Sequence, residues 1–128
     1  MTEVFKSNEE RLFWGMVNAV PQMLPDIQDG VLLSASYEAI TLRLGGHSYT
    51  PDFLLHVKSF YGSLPILFEI KGSKKQKGYR ETRVKLNEAA TIYQMFMFYE
   101  VLIDYRSRSF TSFELISRPP FPYYWVVG

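Results

Sequence analysis

The chain has no cysteine. That removes a disulfide scaffold, a cysteine nucleophile and thiolate-bound zinc from consideration, and it fits a reducing cytosol. No uninterrupted apolar stretch reaches the roughly 18 residues needed to span a bilayer. The opening residues, Met1-Thr2-Glu3-Val4-Phe5-Lys6, lack the basic, apolar, then small-residue order of a signal peptide. The expectation is a cytoplasmic protein that does not engage a membrane. Repeats, low-complexity tracts and linkers are also missing, so residues 1–128 read as one domain.

What is present suffices for a core. A chain of 128 residues can bury about two-thirds of its unfolded surface without help from a disulfide or structural metal. Its hydrophobic fraction of 47% and charged fraction of 21% are those of an ordinary globular protein.

The net charge of +1 conceals an uneven distribution. Lys71, Lys74, Lys75, Lys77, Arg80, Arg83 and Lys85 face only one anion, Glu81, within their segment. Of 14 cations and 13 anions overall, that leaves seven cations and twelve anions elsewhere. Such asymmetry suggests a localised anion-binding face, with a solvated lysine-rich loop as the plainer alternative.

Residue patterns predict an α/β chain. Ser7 is suited to cap a first helix, with Glu10 closing a capping box. Leu12, Phe13, Met16, Val17 and Val20 follow at helical spacing, and Pro21 and Pro25 end the helix. Short strands are expected at 31–33 and 40–44, with Gly45-Gly46 as the next turn. A third strand covers 49–57, with Pro51 near its start. The apolar run from Ile66 to Lys71 reads as a buried central strand. A basic loop, Gly72 to Gly78, leads into a second helix over about 79–97, whose core stripe is Leu86, Ala89, Ala90, Tyr93, Phe96 and Met97. Strands at 99–105 and 110–116 complete a mixed sheet flanked by helices. The tail Arg118-Pro119-Pro120-Phe121-Pro122-Tyr123-Tyr124-Trp125 is too proline-broken for a central strand and offers a surface for the core or a partner subunit.

Two charged clusters stand in apolar surroundings. Glu69 and Lys71 share one face of their strand while Ile70 points to the other. Asp52 is followed directly by Phe53-Leu54-Leu55, and the spacing allows a hairpin that brings Asp52 beside Glu69. Charge in such a setting is costly unless paired or metal-bound. Magnesium takes one or two protein carboxylates and keeps other positions for water and phosphate, so Asp52, Glu69 and the Ile70 carbonyl form a candidate ligand set. A plain salt bridge between Asp52 and Lys71 is the structural alternative.

The strings Tyr49-Thr50-Pro51-Asp52-Phe53-Leu54-Leu55 and Glu69-Ile70-Lys71-Gly72 resemble the PD-(D/E)XK nuclease superfamily. Within it they are similar to the junction-resolving endonuclease I of lytic phages and to small phage nucleases. The resemblance covers roughly residues 7–105. It implies a restriction-endonuclease-like core with α-β-β-β-α-β order. It also implies that Asp52 and Glu69 bind one or two Mg²⁺ ions, for which Mn²⁺ substitutes. Lys71 would orient water or stabilise the pentacovalent phosphate. A further glutamate is expected from the first helix. Glu10 has the family's spacing from Ser7, while Glu9 shares the helix face of Leu12, Phe13, Met16 and Val20. Lys74, Lys75, Lys77, Arg80, Arg83 and Lys85 would contact DNA phosphates, with Arg83 and Lys85 the preferred pair.

The expected activity is metal-dependent hydrolysis of DNA, with a Holliday-junction or branched-DNA resolvase as its most specific form, active in the host cytoplasm if phage-encoded. A homodimer would let two strands be cut. A transposon-end or restriction-type nuclease is the nearest variant, and an inactive nucleic-acid-binding module of the same fold is the rival class. His47 and His56 lack zinc-site spacing, and Ser73 belongs to no complete phosphate-loop motif.

Overall fold

The computed structural model describes residues 4–27, 29–60 and 62–118. The protein is α/β, with helices α1 (Asn8–Gly15), α2 (Val20–Met23) and α3 (Tyr79–Ile92) and strands β1 (Val31–Tyr37), β2 (Leu42–Arg43), β3 (Ser48–Tyr49), β4 (Phe53–Ser59), β5 (Gly62–Lys71), β6 (Met97–Asp104) and β7 (Ser109–Ser117). Five strands form a mixed sheet in the order β1-β4-β5-β6-β7, and β2 pairs with β3 in a separate hairpin. Among the described strands only β5 and β6 run parallel; the other main-sheet neighbours are antiparallel. The parallel pair needs a crossover, which α3 supplies.

Alternation along the strands divides the apolar residues between two faces. Phe53, Leu55 and Val57 of β4, Ile66, Phe68 and Ile70 of β5, and Tyr99, Val101 and Ile103 of β6 pack with Phe13, Val17 and Val20. The opposite face places Leu67 and Phe98 against Leu86, Ala89 and Ala90 of α3 and Leu42, Leu44 and Tyr49 of the hairpin. Glu69 and Lys71 share parity with Leu67 and so belong to this second face. Among the described residues no helix is long and apolar enough to cross a membrane.

Several element boundaries differ from the sequence reading. The first helix stops at Gly15, and Pro21 lies in the first turn of the short α2 rather than ending α1. Proline fits there because its missing N–H would be unpaired in any case. The stretch 49–57 is not one strand, since β3 belongs to the hairpin and β4 to the main sheet. Thr50, Pro51 and Asp52 carry the chain between them. Helix α3 ends at Ile92, so Phe96 and Met97 are not helical; Met97 begins β6 opposite Ile66. Before α3 the main sheet receives three strands, but two helices precede them and two strands follow, beyond the expected α-β-β-β-α-β order. The proposed dimer tail from 119 onward lies outside the described residues.

Candidate active site

Asp52 and Glu69 meet at one end of the β4–β5 ladder, one step beyond the Phe53–Phe68 pair. Both are buried, at 7% and 4% exposure. The Ile70 N–H donates to Oδ2 of Asp52 at 2.8 Å. The Tyr49 hydroxyl donates to Oε1 of Glu69, while Lys71 Nζ stands 3.6 Å from the other oxygen, Oε2. Lys71 thus pairs with Glu69 on its own strand, and the alternative Asp52–Lys71 bridge is not the pairing that forms. The Glu69 charge acts directly on the Asp52 carboxyl beside it.

Helix α1 adds a third carboxylate. The Ser7 hydroxyl accepts from the Glu10 N–H at 3.1 Å, the capping contact the sequence predicts. The Glu10 side chain turns back along the chain, where its Oε1 accepts from the Lys6 N–H at 3.1 Å and from the Tyr37 hydroxyl at 2.7 Å. Glu10 is buried there, and its charge bears on both Asp52 and Glu69. Glu9, one position earlier, faces Gly72 in a different recess shared with Ser73, Gln76 and Asp104. The structure brings Glu10, not Glu9, to the Asp52–Glu69 pair.

These groups line a cavity of about 390 Å³ together with Thr82 and Lys85 of α3. A larger recess of about 680 Å³ lies at the β2–β3 turn but holds no carboxylate. At the cavity rim Glu38 adopts a left-handed φ of 48°, its N–H donating to the Asp52 carbonyl at 2.9 Å and its carboxylate pairing with Lys6 at 2.8 Å. A non-glycine residue rarely takes that conformation unless its surroundings fix it.

Burial dominates the electrostatics. It pushes the Asp52 carboxyl well above the ordinary range, and the neighbouring Glu69 charge raises it further. Burial also raises Glu69, opposed by the Tyr49 hydroxyl and by Lys71. The Tyr49 phenol is driven up by burial and by Glu69. An adjacent carboxylate pair in such a setting favours a shared proton or a bound cation.

The basic residues separate into two groups. Lys74, Lys75 and Lys77 of the loop and Arg80 of α3 are exposed, and Lys85 reaches the cavity wall. Arg83 is committed elsewhere: its guanidinium contacts Glu100 at 3.1 Å and Glu114 at 2.8 Å. Glu100 is only 1% exposed and also accepts from the Tyr79 hydroxyl at 2.8 Å. The sequence reading missed Glu100, although a charge inside Met97-Phe98-Tyr99-Glu100-Val101 carries the same signal that exposed Glu69. It also missed the tyrosines that hold Glu10 and Glu69, for which sequence spacing offers no cue.

Set against protein-family models, curated proteins and solved structures, the chain gives no match. Among the described residues, no three His, Asp or Glu side chains gather into a complete metal cage. The donor set nonetheless fits magnesium, which takes one or two carboxylates and completes its octahedron with water and phosphate oxygens. Asp52 and Glu69 are adjacent and buried; Asp52 has an oxygen outside its contact to the Ile70 N–H, and the second oxygen of Glu69 faces Lys71 Nζ at 3.6 Å. Of Ile70, the contact seen is its N–H; its side chain lies in the apolar cluster on the opposite face.

Proposed function

We propose that the protein is a Mg²⁺-dependent endodeoxyribonuclease of the PD-(D/E)XK type, with Asp52, Glu69 and Lys71 at its centre and Glu10 beside them. The observation carrying this reading is the convergence of three buried carboxylates, Glu10, Asp52 and Glu69, with Lys71 in a single cavity, followed along the chain by an exposed run of lysines. Asp52 and Glu69 would hold the ion, with the Ile70 carbonyl as a further donor, and Mn²⁺ would substitute. When bound, the ion supplies a Lewis acid to the phosphate and makes a coordinated water more acidic.

The remaining steps belong to the chain's own groups. Lys71 presents its ammonium where negative charge grows on the phosphate oxygens. A water oxygen forms the new bond to phosphorus as one P–O ester bond breaks, leaving a phosphate monoester and a free hydroxyl. Glu10 is placed to accept a proton or to orient water at the cavity wall. Lys74, Lys75, Lys77, Arg80 and Lys85 engage the DNA backbone by charge, without reading sequence. Branched DNA is the preferred substrate in this reading, with a homodimer cutting two strands.

The test is cleavage of a supercoiled plasmid and a labelled four-way junction, with Mg²⁺ or Mn²⁺ and with chelator, beside Lys71→Ala and Asp52→Ala. Metal-dependent cuts lost in both variants support the nuclease. Paired cuts at the junction, with linear duplex spared, single out the resolvase. Salt-sensitive DNA binding without any cleavage would leave a binding module instead.

A further inference from the structure

We infer, building on the nuclease reading above, that the β6–β7 turn is a second nucleic-acid contact: the recess that Tyr105 lines takes an unpaired base, and Arg106 and Arg108 engage the phosphates beside it. The substrate class is then DNA with unpaired bases next to the cut. Parallel strands end on the same side of a sheet, and open α/β sheets take their ligands there. Lys71 of β5 lies level with Leu102 of β6, so the turn after Asp104 leaves the sheet at the end that carries the candidate active site. A recess of about 350 Å³ joins the two exits, with Gly72 and Gln76 on the β5 side and Asp104, Tyr105 and Arg106 on the β6 side. A Cβ at position 72 would lie 3.2 Å from Glu9 Oε2 and 3.4 Å from Gln76 Oε1, so the bare glycine keeps this space open.

The turn holds a defined shape. The Arg106 N–H donates to Oδ1 of Asp104 at 3.1 Å, and the Arg108 N–H donates to the Tyr105 carbonyl at 3.2 Å. Arg108 takes a left-handed φ of 54°, uncommon without glycine, and its guanidinium carbon stands 5.8 Å from the centroid of the Tyr105 ring. An aromatic ring that is 37% exposed, beside two exposed arginines, supplies what holds a single strand: a surface on which a base stacks and cations for its backbone. Lys74, Lys75 and Lys77, also exposed, carry positive charge on from the β5 side. The Glu9 and Asp104 carboxylates disfavour a phosphate inside the recess itself, but they suit the exocyclic amino group of a base, to which carboxylates act as acceptors. Base acceptors and a ring within the recess, with arginines next to them, fit an unpaired nucleotide. A base stacked in a duplex has no free face to offer Tyr105.

The experiment reads binding rather than turnover. A matched duplex and the same duplex with a short unpaired flap carrying 2-aminopurine are titrated with the full chain in the cleavage-deficient Lys71→Ala background. This parent is expected to bind the flap DNA more tightly than the duplex, and the 2-aminopurine fluorescence to fall as the base stacks. Adding Tyr105→Ala should lower flap affinity about tenfold, leave duplex affinity unchanged and abolish the fluorescence change, while Tyr105→Phe retains both signals. Arg106→Ala combined with Arg108→Ala should weaken flap binding and flatten its salt dependence by about 0.7 in slope per arginine; this variant carries the test if Tyr105→Ala does not fold. A flap preference kept by folded Tyr105→Ala, an equal loss on both DNAs, or flap affinity unchanged in the arginine variant overturns the base site and leaves the nuclease reading standing. Failure of both the parent and the wild type in chelator to bind either DNA overturns both.

Discussion

Arg83 closes on Glu100 at 3.1 Å, turning a cation in the middle of a basic run into an internal brace between α3 and β6. Glu100 stands level with Glu69 on the adjacent parallel strand. Its nearly complete burial makes it depend on Arg83 and Tyr79 for compensation. Removing one partner of a buried pair strands the other charge, so Arg83→Ala is expected to cost about 3–5 kcal/mol, a large part of a typical domain's stability. Urea unfolding checks this. Glu100→Gln should cost less, because the amide oxygen still accepts from Tyr79. A loss below about 1 kcal/mol for Arg83→Ala would show that the brace is not a structural one.

Asp52→Asn should stabilise the cation-free protein at neutral and alkaline pH. The folded carboxyl titrates above its ordinary value, chiefly through burial and then through Glu69. A group raised on folding contributes stability that is full below its unfolded value and is lost as pH rises through the folded one. Asparagine keeps an oxygen for the Ile70 N–H and gives Glu69 a donor without the charge. Melting curves in chelator should show the variant above wild type by several degrees at pH 8, with the gap closing near pH 4. A variant equal to or below wild type at pH 8 would mean that the Asp52 charge is compensated in the folded state.

How much of this was legible in the sequence depends on the range of the interaction. The Asp52, Glu69 and Lys71 constellation could be read because strand alternation is local and charge in an apolar strand is conspicuous. A first-helix glutamate could be expected, but the choice between Glu9 and Glu10 stayed open, because it depends on Tyr37 and the Lys6 N–H holding the Glu10 carboxylate in the cavity. The break at Pro51 could not, since it depends on the pairing of Tyr49 with Leu42 rather than with the main sheet. The end of α3 was hidden for a similar reason. Tyr93-Gln94-Met95-Phe96-Met97 continues an apolar helical pattern, but the Tyr93 hydroxyl bonds the Arg43 backbone, and Met97 pairs beside Ile66. Arg83 looked like its basic neighbours because its acidic partners lie 17 and 31 positions away.

The exposed cations should act additively on DNA affinity. Lys74, Lys75 and Lys77 are exposed in the loop after β5, so their job in the proposed complex is phosphate neutralisation. Each one replaced by alanine should lower the slope of log affinity against log salt by about 0.9 on duplex DNA. Arg83→Ala, measured where it remains folded, should leave that slope unchanged. Binding of a cleavage-deficient Lys71→Ala background by anisotropy at several salt concentrations gives the slopes. Equal slopes for the triple lysine variant and its parent would remove this loop from the interface.

Glu9 and Glu10 differ by one position and by a whole cavity, which makes them a sharp pair of probes. Glu10 lines the recess that contains Asp52 and Glu69, whereas Glu9 lies against Gly72. Glutamine at position 10 retains an oxygen for Tyr37 and Lys6, so the fold should keep its melting temperature while the carboxylate charge is lost. The cleavage rate of Glu10→Gln should fall about 10- to 100-fold, the range for groups that support metal-bound carboxylates, and Glu9→Gln should cleave like wild type. Rates measured on the plasmid under saturating Mg²⁺ settle the order. A loss confined to Glu9→Gln would move the working carboxylate to the Gly72 recess and leave Glu10 as a cap.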